Sequence, residues 1–202
     1  MTGAEARRSP VFWMILAAAC LACTGLSGVG VHLVPISGDH GVPPSVAAVA
    51  MSALALVNLL GQIVMGRLYD GLATPRIAAP TLLVAIAGLP ILATATSSDA
   101  FVAGGALIGI GAAAEYSFFP YALQRYFGLR AYGEIYGMVF GVTLLAQSCG
   151  PLLLSIGRDY TGSYAAGLAG VAIALAIAAL LILLLPAYDR HGDQKLLVAP
   201  MP

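Results

Sequence analysis

Six apolar runs, each at least 20 residues long, leave this chain little choice but to fold as a bundle of membrane-crossing helices. They cover residues 11–36, 45–65, 77–96, 100–123, 135–156 and 164–185. A helix rises about 1.5 Å per residue, so about 20 residues cross a hydrocarbon core about 30 Å thick. Lipid offers no hydrogen bonds, so each run must satisfy its own backbone, and a helix does so within one segment. Five of the six runs carry no Asp, Glu, Lys or Arg. With 60% hydrophobic and 9% charged residues, a water-soluble core is excluded. The connections are too short to hold a second domain. The expected fold is an all-α membrane protein: an N-terminal segment 1–10, a six-transmembrane-helix bundle 11–186 and a tail 187–202.

Charge gives the bundle a direction. Of nine Lys and Arg residues, eight fall at the termini or in the second and fourth gaps: Arg7, Arg8, Arg67, Arg76, Arg125, Arg130, Arg190 and Lys195. Only Arg158 lies on the other side. The positive-inside rule places both termini and gaps 66–76 and 124–134 in the cytoplasm, and gaps 37–44, 97–99 and 157–163 outside. The expected location is a bacterial inner (plasma) membrane. Zero net charge and the lack of a basic stripe argue against a nucleic-acid partner.

Small and kinking residues predict how the helices meet. Gly105 and Gly109 are four apart, as are Gly133, Gly137 and Gly141, spacings that make glycine faces for close helix packing. Pro90, Pro120 and the pair Gly150-Pro151 predict bends, the last in the fifth run. Pro43-Pro44 starts the second helix, and Asp99 is placed to cap the fourth. Cys20 and Cys23 form a CxxC spacing, but inside lipid they, with Cys149, read as small apolar side chains.

Polar groups within the runs are the candidates for function, because each needs a partner or water. Glu115 is the only acid in a run. Counting about 1.5 Å per residue from the inner boundaries, Asn58, Glu115 and Gln147 lie about 12, 14 and 20 Å deep, near the midplane. Gln62 shares a face with Asn58, Tyr116 follows Glu115, and His32 sits near the outer end of the first run. These six form the expected substrate or proton pathway. The other reading of the amides is a hydrogen-bond network without a ligand.

Two stretches carry a resemblance. The segment from Gly61 to Arg76 resembles the cytoplasmic signature of the major facilitator superfamily: Gly66, Arg67, Asp70 and Arg76 match, while Gly71, Ala73 and Thr74-Pro75 depart from it. The segment from Gln124 to Gly137, with Arg125-Tyr126-Phe127-Gly128 and Arg130, resembles the oxalate/formate antiporter and monocarboxylate transporter-like branch. That likeness continues through Gly150-Pro151 to Asp159-Tyr160-Thr161-Gly162-Ser163-Tyr164.

The resemblance implies the C-terminal six-helix half of a secondary transporter, moving a small organic anion by alternating access. It implies that the third and sixth runs face lipid while the other four line a cavity. Asp70 would latch the inner gate by accepting hydrogen bonds from a neighbouring helix or an Arg, and Arg125 and Arg130 would anchor their loop at the lipid surface. The implied partners are a small-molecule substrate, the bilayer, and a second six-helix half or a homodimer mate. The chain is therefore expected to be a truncated or split half.

No catalytic group, metal or cofactor is expected. A rhomboid-like protease is the enzymatic alternative, since Gly25-Leu26-Ser27-Gly28 spells GxSG. His32 projects about 140° away from Ser27 on the same helix, and His40 and His191 lie in the gaps and tail. A non-transporting scaffold or pseudo-transporter is the other alternative.

Overall fold

A computed structural model describes residues 2–72 and 74–188. Ala73 and residues 189–202, among them Arg190, His191 and Lys195 of the expected tail, lie outside the described residues. A short helix α1 (Gly3–Arg8) precedes six long ones: α2 (Pro10–Asp39), α3 (Pro44–Leu72), α4 (Ala78–Thr94, entered through a 3₁₀ turn at Pro75–Ile77), α5 (Ser98–Phe127), α6 (Tyr132–Thr161) and α7 (Ala165–Leu183). All six are long and apolar enough to span a bilayer. The chain is an integral membrane protein, and its fold is an all-helical six-span bundle.

Most helices run past their apolar runs, which corrects several gaps. α3 continues to Leu72, so Gly66, Arg67 and Asp70 stand on a helix and not in a turn. α2 reaches Asp39 with His40 as its C-cap, and α6 reaches Thr161. Between α5 and α6 only residues 128–131 are non-helical. The physical reason is that a helix end stays hydrogen-bonded after the lipid stops, so polarity marks the membrane boundary and not the helix boundary. The turn glycines confirm local need: Gly128 (φ 74°) and Gly162 (φ 72°) cap α5 and α6 in the positive-φ region that side chains disfavour. The cap of α5 is Ser97, whose side chain accepts from the Ala100 N–H; Asp99 sits one residue inside the first turn. The N-terminal segment is also helical. Thr2 and Glu5 form a capping box around α1, and the hydrogen bond from the Thr2 backbone holds the exposed Glu5 carboxyl below its usual range.

α2 and α5 form the centre. More than half of the most apolar window of each is buried, against 11% in α3 and 22% in α6. Neighbours run in the order α3, α5, α4, α7, α2, α6, with α2 also touching α5. α4 and α7 back the two central helices, and α3 and α6 flank them, leaving a groove between. Glycines make the close crossings possible. A Cβ on Gly105 would come within 2.9 Å of the Ala50 carbonyl oxygen, and one on Gly150 would run into the Thr24 carbonyl. Gly133, Gly137 and Gly141 are different: a Cβ there would meet nothing within 4 Å, so the packing face expected on α6 is bare.

Candidate functional site: a polar groove between α3 and α6

Two adjoining cavities, about 70 and 120 Å³, lie in this groove. Both are lined by Cys23, Glu115, Tyr116 and Gln147; the larger adds Ser27 and Asn58, the smaller Phe119, Tyr136, Phe140 and Thr143. The lining comes from α2, α3, α5 and α6 alone. Four of the six expected pathway residues, Asn58, Glu115, Tyr116 and Gln147, are thus together. Gln62 stands one turn away and donates from Nε2 to Asn58 Oδ1 at 2.7 Å, fixing that amide. A larger apolar cavity, about 290 Å³, lies among α2, α6 and α7 and offers little chemistry.

Glu115 is only 8% exposed. Its Oε1 accepts a hydrogen bond from the Cys23 thiol at 2.8 Å, and Oε2 has no partner among the described residues. Cys23, read from sequence as an apolar filler, is therefore the acid's hydrogen-bond donor. Only its position on α2, facing α5, identifies it, and spacing within one helix does not carry that signal. Tyr116 is half exposed into the groove. On α6, Tyr132, Tyr136 and Phe140 recur every fourth residue and stack nearly parallel, with ring centroids 5.5 and 5.6 Å apart. They form a track from the α5–α6 turn to the level of Glu115.

Ser27 ties α2 to α6. Its hydroxyl donates to the Gln147 carbonyl at 2.7 Å, and Thr24 donates to the Ala146 carbonyl at 2.8 Å. Pro151 has no N–H to offer the carbonyl four residues earlier, which is that of Gln147, so Ser27 fills the vacancy. The hydroxyl of the GxSG sequence is turned to backbone carbonyls, those of Gln147 and Thr24.

His32 is away from the groove. It is buried, with Nδ1 3.1 Å from the Gly28 carbonyl and its ring 5.4 Å from that of Tyr164. Beside it, Arg158 makes a two-pronged pair with Asp39 at 2.6 and 3.1 Å, joining the C-terminal ends of α6 and α2.

At the other end, Tyr121 donates to the Tyr69 carbonyl at 2.7 Å and stacks on the Tyr69 ring, while Arg125 donates to the Tyr121 hydroxyl at 3.0 Å. Arg125 is thus tied to a ring of its own helix that is itself bonded to α3. The hydroxyls of Tyr69 and Tyr188 are buried there without a hydrogen-bond partner among the described residues, and burial pushes the Tyr188 phenol up from its ordinary range. Asp70 is exposed and bonds to no described residue. Among the described residues Arg67 donates to the Ile63 carbonyl of its own helix, and Arg76 and Arg130 are exposed.

Comparison with known proteins follows the same lines. Residues 15–199 match the family model of the Major Facilitator Superfamily. The chain is 27% identical over 141 residues to the uncharacterized MFS-type transporter YhjX of Escherichia coli (strain K12), an alignment covering 69% of this chain and 35% of that protein. The match spans about a third of the length of that curated relative.

Proposed function

The chain belongs to the Major Facilitator Superfamily, and from that membership we propose that it forms one six-helix bundle of a secondary transporter, moving a small solute by alternating access. The observation that carries the reading is the convergence of Asn58, Glu115, Tyr116 and Gln147, from three helices, on one groove floored by α2 and α5. A second six-helix bundle, whether another chain or a second copy, covers this groove and rocks against it, opening it to each side in turn. Glu115 is the group that exchanges a proton or touches the solute, because an acid held at this depth is costly unless it is used. Gly66, Arg67, Asp70, Arg76, Arg125 and Arg130 line the gating end, with Asp70 free to latch onto the second bundle. Both termini and this end face the cytoplasm of a bacterial cell. The loop resemblance points to a small organic anion. Such an anion would need its counter-cation from the second bundle, since the groove itself holds an acid and no basic side chain, and the groove's own charge favours a cation.

Single cysteines in a cysteine-free background test the reading. Positions 58 and 147 are expected to react with a water-soluble maleimide while Leu83→Cys and Ile173→Cys, on α4 and α7, do not. Equal rates at all four would favour a scaffold without a solute path. Position 40 is expected to label from outside; labelling from the cytoplasmic side alone reverses the orientation. Glu115→Gln is expected to remove the pH dependence of uptake by the paired assembly while membrane insertion is kept.

A further inference from the structure

The groove combines one acid, a set of rings and no base, and that combination selects a sign of charge. Resting on the groove being the solute path, we propose that it receives a small organic ammonium ion, held by the Glu115 carboxyl and the rings of Tyr116 and Phe140. Glu115 lines both cavities, and its Oε2 is left open after Oε1 has taken the Cys23 thiol. An open carboxylate oxygen on a buried acid is a strong partner for an N–H donor with positive charge. Tyr116 and Phe140 are about half exposed, and the Tyr136 and Phe140 planes lie 16° apart along one wall. Ring faces carry negative potential and attract ammonium groups.

Every other group facing Glu115 is neutral: Cys23 and Ser27 from α2, Asn58 from α3, Thr143 and Gln147 from α6, and Ala78, Leu82 and Ile182 behind it. The described basic side chains sit at helix ends and turns, and Arg158 there is engaged by Asp39. An anion in the groove would meet an acid and ring faces with no counter-charge from this chain. The cavities are well below the 300 Å³ or so of drug-sized pockets, which suits a head group of a few heavy atoms with its body along the ring track.

The test uses two probes of like shape and opposite charge, phenethylammonium and phenylacetate, on the purified chain in lipid nanodiscs. Saturable binding of labelled phenethylammonium is expected, uncontested by phenylacetate. Glu115→Gln is expected to weaken it at least about tenfold, the scale of a charge-assisted hydrogen bond. Phe140→Leu, on an exposed face where folding is not at stake, is expected to weaken it about three- to tenfold. Tighter binding of phenylacetate, or unchanged affinity in Glu115→Gln, overturns the proposal. Absence of amine binding while positions 58 and 147 label from water also overturns it and leaves the transporter reading standing. If those positions are closed to water, both readings fall together.

Discussion

Two rows of glycine with the same spacing have opposite fates in this bundle. On α5, Gly105 and Gly109 press against the backbone of α3, where an added Cβ would lie 2.9 Å from the Ala50 oxygen and 2.5 Å from that of Leu54. On α6, Gly133, Gly137 and Gly141 face open space. Spacing of four selects a helix face, and a neighbour determines whether that face is used. The bare row lies one residue along from the ring track of Tyr132, Tyr136 and Phe140, on a helix only lightly buried by its own bundle. The two rows therefore separate contacts that hold the bundle together from a surface left for something else.

The largest expected effect comes from the tightest crossing. Gly150→Leu forces a side chain into the backbone of α2 at Thr24 and is expected to destabilise the bundle by about 3 kcal/mol or more, seen as loss of a monodisperse peak and of the thermal transition. A variant as stable as the parent would mean that α2 and α6 part freely. Next, Gly109→Ala is expected to cost about 1–3 kcal/mol in a mixed-micelle unfolding titration, while Gly137→Ala stays within about 0.5 kcal/mol. Equal costs would abolish the distinction between the rows. Ser27→Ala removes the hydroxyl that serves the Gln147 carbonyl, with an expected loss of about 0.6–1.7 kcal/mol in the same titration. The smallest effect belongs to the Arg158–Asp39 pair: Arg158→Ala should lower stability least of the four in the same titration, and the loss should shrink as salt is added.

The six spans were legible because lipid imposes one requirement on every residue of a run, and hydropathy reports it directly. Their ends were less so. Arg67 and Asp70 are polar yet helical, since the hydrogen-bond ladder of α3 extends beyond the lipid. Within the groove, depth counting was enough to find Asn58, Glu115 and Gln147, because helices started from one membrane surface keep a common ruler. Rotation about each axis was harder to read. It turned His32 toward Tyr164 and Cys23 toward Glu115, and both depend on which neighbour packs alongside. The α6 glycines failed for the same reason.

The joint at Pro151 has a mechanical consequence. In an ordinary helix each turn is clamped to the next by an amide that cannot swivel. At this one rung of α6 the clamp is a serine hydroxyl from another helix, and a hydroxyl rotates about its own bond. The limb of α6 that carries Tyr136, Phe140 and Thr143 is therefore joined to the limb beyond Pro151 by one backbone rung fewer, which lowers the cost of bending there. Ser27 then acts as an axle pin, holding the pivot in place while the arm turns.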